Sequence, residues 1–425
     1  MIIVIDLGTT KIVGLVGEKT GNRYQIISYG ETVSSGIKHG QVENVKSVVN
    51  AVVPVLEEIK KTSGISKIDE VFVGIAGLHI KCIENRTELS LDEYQEITEN
   101  EILQLEKNAR NLSLHSGDEI LHIIPRSYII DDERNITDPV GRFGRKIAGQ
   151  FYVIMGNKLT ADLTRFCMDK LNLPFNTLIL EPIASARAVL SPAEKELGVA
   201  MIDMGGGTTD LIIYKDGKMK HTAVIPLGGN VITSDIKQSF HILSRHAEQI
   251  KIQYGVCIAS EVADNKYITI PGIGERPAIE ISCKKLACII EARITEIMSF
   301  VNNEINHCKE KLNAGIVFTG GGALLTGLTE FVNLKMGMSV RIGKPQYLSN
   351  NSPKEMVHPK YSTAAGLLMC GFDYLDGKKE EINLLNTRKE VEQEPNKKQR
   401  TQILIPVIDV LKGFFRETIE EENLN

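Results

Sequence analysis

The chain has 425 residues, 42% of them hydrophobic and 24% charged, with a formal net charge of −5. That length allows two to four domains or subdomains and a large core. The acidic balance gives no ground for a nucleic-acid partner, which calls for a basic stripe, and every apolar run falls short of the ~18–20 residues of a membrane span. The seven cysteines are scattered without a Cys-x-x-Cys pair and read as reduced, mostly buried thiols of a cytoplasmic protein. The nine histidines do not cluster at ligand spacing. His241 and His246, five apart on one expected helix, do not share a face, so no His/Cys metal site is expected. The chain opens on an apolar run with no basic n-region, so no signal peptide is expected.

Residues 2–16 read IIVIDLGTTKIVGLV. Two apolar stretches, 2–8 and 12–16, predict a hairpin around Asp6, Gly8, Thr9 and Thr10. A strand is expected over 24–32. Apolar positions Val48, Val49, Val52, Val55, Leu56 and Ile59 predict an amphipathic helix over 45–61. Residues 70–76 read as a buried strand ending at Gly77. From 84 to 104 the chain turns charged and polar. Thr98 and Glu101 form a capping box that opens a helix to about residue 114. Residues 119–130 and 146–154 alternate like antiparallel strands around a turn-rich 131–144. The block 84–156 therefore predicts a small α+β insertion, either a surface decoration or an interaction module.

A helix is expected over 159–171 and a strand over 177–180. That strand runs into Glu181-Pro182 and a helix over 183–190. Glu181 has two readings. It is a carboxylate able to position a water, or an acidic residue favoured by the helix dipole, with Pro182 at the first helical position. Residues 199–214 read VAMIDMGGGTTDLIIY and predict a second hairpin with an almost bare turn. Ile202-Asp203-Met204-Gly205 and then Thr208-Thr209 repeat Ile5-Asp6-Leu7-Gly8-Thr9-Thr10, with Gly206 and Gly207 added. A repeat half a chain apart predicts two similar lobes. Glycine turns let backbone N–H groups approach an anion closely, and an Asp at a strand end can hold hydrated Mg²⁺. Two such hairpins facing each other suit a clamped nucleotide–Mg²⁺ complex; taken singly, each is also a plain β-turn. No Gly-x-x-x-x-Gly-Lys is present, and Asp210 stands where a Gly-x-Gly-x-x-Gly motif needs its third glycine.

Helices are expected over 231–240 and 244–254, the second carrying Glu248 and Lys251. Short strands with turns follow over 259–281, then a long amphipathic helix over 284–311. Residues 315–325 read GIVFTGGGALL: a strand, Gly320-Gly321-Gly322, and a helix start that can face an anion or a flat base or serve only as a tight turn. Residues 361–367 form a small-residue helix suited to close packing. Residues 378–402 read as a flexible polar linker. Beyond Pro406, Val407, Ile408, Leu411, Phe414 and Phe415 fall on one half of a helix circumference. That helix is too short to span a bilayer but able to lie in its interface.

The two Asp-Gly-Thr-Thr loops, the helix start at Glu181-Pro182-Ile183-Ala184-Ser185-Ala186, the Gly320-Gly321-Gly322-Ala323 loop and the small-residue helix resemble the actin/DnaK/sugar-kinase ATPase fold over residues 1 to about 375. Within it, the chain resembles the bacterial cell-division FtsA family. The insertion carries that resemblance most specifically, through Ile124-Pro125-Arg126-Ser127-Tyr128, Asp138-Pro139-Val140-Gly141 and Gly144-Arg145-Lys146-Ile147. The resemblance implies an α/β, two-lobed, duplicated ribonuclease H-like fold. Its expected divisions are subdomain 1A at 1–83 and 157–194, subdomain 1C at 84–156, subdomain 2A at 195–227 and 303–377, and subdomain 2B at 228–302. A linker at 378–402 and an amphipathic tail at 403–425 complete it.

The resemblance further implies ATP and Mg²⁺, with Asp6 and Asp203 holding the metal through waters. Thr9, Thr10 and Lys11, beside Gly8, would meet the phosphates from one lobe; Gly205, Gly206, Gly207 and Thr208 would meet them from the other. Glu181 would position water, Glu248 and Lys251 would approach the ribose and adenine, and Gly320, Gly321 and Gly322 would lie against the adenosine. At most a slow ATPase is implied. The implied partners are a second copy of the chain, the C-terminal peptide of FtsZ at 228–302, other division proteins at 84–156, and membrane lipid at the tail on the inner face of the cytoplasmic membrane. Alternatives are a sugar or carboxylate kinase of the same fold, for which Glu181 is the sole candidate base, and another actin-like cytoskeletal or pilus-assembly ATPase. A chaperone reading fails, because the residues beyond Tyr374 are too few for a peptide-binding domain.

Overall fold

The computed structural model describes residues 1–64, 68, 70–272 and 277–391. The chain divides into two units, Met1–Tyr374 and Leu375–Asn425. In the first unit, β1 (Ile2–Leu7), β2 (Lys11–Thr20) and β3 (Arg23–Val33) form an antiparallel meander. A two-residue hairpin, β4 (Ile37–Lys38) and β5 (Gln41–Val42), precedes helix α1 (Val45–Ser63). Asn44 caps α1 by accepting from the Ser47 N–H, and Gly64 closes it at φ 69°. The helix buries Val48, Val52, Val55, Leu56 and Ile59 at the spacing of one helical face. Strand β6 (Val71–Ile75) then pairs in parallel with β1.

The insertion departs from β6. It comprises β7 (Lys81–Glu96), α2 (Glu99–Arg110), β8 (Asp118–Ile130), β9 (Glu133–Ile136) and β10 (Phe143–Asn157), in sheet order β7-β10-β8-β9. The capping box at Thr98 and Glu101 forms as expected, although α2 stops at Arg110. The sequence reading misses two strands here. One is β7, where the inward positions Asn85 and Thr87 are polar like the outward Glu84, Arg86 and Glu88, so that it resembles a loop. The other is β9, buried in the stretch read as turns. The insertion has its own core, with Ile97, Leu105, Ile147 and Phe151 fully enclosed.

The chain returns through α3 (Lys158–Lys170), β11 (Phe175–Leu180) and α4 (Glu181–Val189), completing the sheet order β11-β6-β1-β2-β3. After α5 (Pro192–Leu197), the second lobe repeats the pattern with β12 (Val199–Met204), β13 (Thr209–Lys215) and β14 (Lys218–Ile225). Helices α6 (Gly229–Phe240) and α7 (Ser244–Tyr254), the hairpin β15 (Tyr267–Ile270) and β16 (Ile279–Ser282), and the long α8 (Cys283–Cys308) follow. Strand β17 (Ile316–Thr319), helix α9 (Leu328–Met336) and β18 (Val340–Ile342) complete the sheet, in order β14-β13-β12-β17-β18. The two sheets match strand for strand. Each has an antiparallel three-strand meander with two parallel strands added beside the meander's first strand.

Three expectations change. His241 ends α6 in the left-handed region at φ 53°, and His246 lies in α7, so the two sit on different elements. Gly321–Leu324 forms a 3-10 turn, and α9 begins only at Leu328. Helix α10 (Ser362–Val391) continues through much of the expected linker, because its run of Lys, Glu and Leu residues has high helix propensity and propagation costs less than nucleation. The remaining linker and the expected tail helix, with Val407, Ile408, Leu411, Phe414 and Phe415, lie outside the described residues.

Candidate functional site

The strand-end acids are placed by the sheet itself. Asp6 is the penultimate residue of β1 and lies opposite Val13. Asp203 holds the same place in β12 and lies opposite Asp210. Both hairpin turns open at the same end of their sheets, so Gly8, Thr9, Thr10 and Lys11 from one lobe and Gly205, Gly206, Gly207 and Thr208 from the other line one cavity of about 350 Å³. The loops touch. A Cβ at Gly206 would stand 2.3 Å from Thr10 Cγ2, and one at Gly207 would stand 2.6 Å from Thr9 Oγ1. Bare backbone is therefore a condition for the two turns to meet.

Further walls come from three places. Glu181, the first residue of α4, lies across Gly74 of β6, where a Cβ would be 2.9 Å from Glu181 Oε1. Gly320, Gly321 and Gly322 follow β17. Gly320 has φ 83°, and a Cβ there would sit 2.3 Å from Asp203 Oδ1. Glu248 and Lys251, one turn apart on α7, line it as well. Lys251 Nζ donates to Gly229 O at 3.0 Å, Thr233 Oγ1 at 2.9 Å and Glu248 Oε2 at 2.8 Å. This ammonium is thus fully engaged and fixes the Glu248 carboxylate.

The electrostatics are unbalanced. Asp203 Oδ2 accepts from Ser185 Oγ at 2.6 Å and from Thr363 Oγ1 at 3.1 Å. Burial raises the Asp203 pKa against those bonds and the attraction of Lys11. Burial pushes Asp6 up to about 6, with Lys11 opposing and Asp203 adding to the rise. Glu181 is raised well above the carboxylate range by desolvation, then by Asp6, Asp210 and Asp203. Asp210 is raised likewise by burial and by Asp203. Burial lowers the pKa of Lys11, against the pull of Asp6 and Glu31. Its ammonium rests 4.4 Å from the centre of the Tyr361 ring. Among the described residues, Lys11 Nζ and Asp210 Oδ1 are buried without a hydrogen-bond partner. A buried orphan charge is costly. These two fit an anion and a hydrated cation, respectively. Among the described residues no three His, Cys, Asp or Glu side chains gather as a metal-holding group, so a cation here would draw on water and ligand oxygens as well as protein.

The structure thus gathers every expected loop, strand-end and α7 residue around one cavity. It also adds Gly40, Asn230, Lys360, Thr363 and Asp210, which the sequence reading did not name as site residues. Asp210 carried a signal. It follows Thr208-Thr209 as Lys11 follows Thr9-Thr10, so the internal repeat makes the two equivalent. Gly40, Asn230, Lys360 and Thr363 come from distant segments and carried none.

A sequence model described as "Cell division protein FtsA" matches residues 200–366, and one described as "SHS2 domain inserted in FTSA" matches residues 77–155. The chain is 36% identical over 369 residues to the cell division protein FtsA of Neisseria meningitidis serogroup B, covering 86% of this chain and 88% of the relative. It is 32% identical to that of Escherichia coli K12, covering 89% and 92%, and 31% identical to that of Borreliella burgdorferi, covering 98% of each. Among solved structures, a chain of a PilM–PilN type IV pilus biogenesis complex aligns with TM-score 0.61 at 14% identity, covering 87% of this chain and 98% of that one. MreB5 of Spiroplasma citri bound to ADP aligns with TM-score 0.54 at 14% identity, covering 89% and 98%. Identities that low speak to fold alone, and the fold is actin-like. With its duplicated lobes and its inserted domain, the chain belongs to the FtsA family of cell-division proteins.

Proposed function

We propose that this protein binds ATP with Mg²⁺ between its two glycine loops, polymerises, and tethers FtsZ filaments to the inner face of the cytoplasmic membrane during septal-ring assembly. One observation carries the nucleotide reading: two equivalent loops from duplicated lobes meet at a cavity holding an unpartnered buried ammonium, Lys11, and an unpartnered carboxylate oxygen, on Asp210. Lys11 would leave the Tyr361 ring to donate to a phosphate oxygen. The N–H groups of both loops would cradle the chain of phosphates. Asp6 and Asp203, with Asp210 beside them, would hold the waters of a hydrated Mg²⁺. Bound Mg²⁺ supplies the positive charge that lets phosphates enter a site walled by carboxylates.

Glu181, the first residue of α4, would hold a water toward the terminal phosphate. Its raised pKa favours the protonated carboxyl, which cannot accept a proton until an entering cation draws that pKa down, and this suits slow turnover or none. Glu248, fixed by Lys251, would accept from the ribose hydroxyls. Residues 228–302 are the proposed seat of the FtsZ C-terminal peptide, and 84–156 of self-contact and other division proteins. The chain's 403–425 segment is the proposed membrane contact; among the described residues no helix is long and apolar enough to cross a bilayer.

Co-sedimentation with liposomes, with and without ATP and an FtsZ C-terminal peptide, tests the reading as a whole. The protein should pellet with lipid, carry the peptide with it, and do both more fully with Mg²⁺–ATP. A supernatant containing all the protein under every condition would refute the tethering role.

A further inference from the structure

The β4–β5 hairpin sits between β3 and α1, with Lys38 paired to Gln41. Its tip residues, His39 and Gly40, have φ of 47° and 74°. Two successive positive φ values are the mark of a type I′ turn. Each residue from 39 to 41 reaches a different part of the molecule. His39 Nδ1 bonds the Gly207 carbonyl of the second lobe at 3.0 Å. A carbonyl only accepts, so His39 carries its proton on Nδ1. The Gly40 N–H donates to Thr9 Oγ1 of the first lobe at 3.0 Å. Gln41 Nε2 donates to His79 Nδ1 at 3.0 Å, two residues before β7 opens the inserted domain. His79 Nε2 is buried and lacks a partner among the described residues, so Gln41 is what orients that ring.

We propose that this hairpin is a clasp: His39 is a positioning residue that holds the two glycine loops in register, and Gln41 passes their state to the root of the inserted domain. Thr9 and Gly207 belong to different lobes, so a relative movement of the lobes must stretch either the His39 or the Gly40 bond. Gln41 is the next residue along a rigid two-residue turn, and it moves with them. Neither His39 nor Gln41 lines the cavity, so neither acts on a ligand directly. The inference rests on the nucleotide reading above.

The test uses the full-length protein, with release of a fluorescent N-methylanthraniloyl-ATP followed by stopped flow in Mg²⁺. Loss of one bond between the lobes in His39→Ala should speed release about five- to tenfold. His39→Asn, which keeps a side-chain donor, should return it to within about twofold. Gln41→Leu should leave release near the parent rate but abolish the ATP-induced change in the His79 ring ¹⁵N shifts. The tautomer of His39, read from ring ¹⁵N shifts without nucleotide, should be Nδ1–H. Release from His39→Ala at the parent rate, or an Nε2–H tautomer, would overturn the clasp. A parent that fails to bind the fluorescent ATP refutes the nucleotide reading instead, and the tautomer still decides whether the His39 bond exists.

Discussion

Lys11 and Asp210 occupy the same place in the two repeats, yet carry opposite charge, and each has a buried atom without a partner among the described residues. The duplicated loop thus ends on a basic residue in one copy and on an acidic one in the other. The strand-end acids Asp6 and Asp203 stay alike in both copies. Replacing either by Ala should weaken Mg²⁺–ATP binding in calorimetry by roughly ten- to a hundredfold, the range found when groups holding a metal's outer shell are removed. Circular dichroism should remain that of the parent. Unchanged ATP affinity in both variants would remove these acids from the site. The pKa shifts make a separate prediction. An acid raised in the folded state stabilises the fold fully below its unfolded pKa, 3.8 for Asp, and that contribution is lost as pH rises through its folded pKa, about 6 for Asp6. Glu181, Asp203 and Asp210 are raised as well, so all four act in the same direction. Asp210→Asn removes one buried charge. It should raise the melting temperature of the ligand-free protein by a few degrees at pH 8, or about 1–2 kcal/mol, and by little at pH 5. An equal effect at both pH values in scanning calorimetry would show that the carboxyl's charge is not the cause.

At the scale of elements, the inserted domain joins the lobe through two neighbouring strands. Lys81, at the start of β7, pairs with Met155 near the end of β10, so its entry and exit lie side by side and a short linker can close the gap. Its core is separate from that of the first lobe. Deleting 84–156 should therefore leave ATP affinity within about threefold, given a cavity built without it, while polymerisation seen by electron microscopy disappears. His122 of β8 accepts from the Leu180 N–H at 3.0 Å. The deletion exposes that edge of β11 and should lower the melting temperature. Collapse of the whole lobe would show that the block is core. The sequence exposed this domain unevenly. The α2 cap was legible because Thr98 and Glu101 satisfy each other within one turn. Strand β7 was not, since its inward positions include Asn85 and Thr87, which bond the α2 carbonyls of Ala109 and Leu105, and so break the apolar alternation that marks strands. Glycine loops and strand-end acids were legible because their chemistry is local and occurs twice. Gly40, Asn230 and Thr363 reach the cavity only through tertiary folding, and short-range patterns carry no trace of that.

The whole molecule has two equivalent sheets that converge on a cavity, and a C-terminal segment whose chemistry points elsewhere. Val407, Ile408, Leu411, Phe414 and Phe415 share one half of a helical projection with Val410 and Ile419; Asp409, Lys412, Arg416 and Glu420 share the other. Two phenylalanines and several branched aliphatics suit burial at the boundary between headgroups and acyl chains. Charge adds little attraction to anionic lipid, because Lys397, Lys398, Arg400, Lys412 and Arg416 are offset by Asp409, Glu417, Glu420, Glu421 and Glu422. One tail should therefore bind weakly, and stable attachment should require a polymer that presents many tails together. Lipid binding should then rise steeply with protein concentration and with whatever drives polymerisation. The double variant Phe414→Asp, Phe415→Asp places two charges where the interface is driest. It should lose nearly all sedimentation with vesicles of phosphatidylglycerol and phosphatidylethanolamine, while its ATP affinity stays at the parent value. A helix docked instead into a groove on a neighbouring subunit would respond differently, with the same substitutions weakening polymerisation in solution where no lipid is present. Measuring both in one preparation separates the two. Full retention in the vesicle pellet would show that the tail is not the anchor.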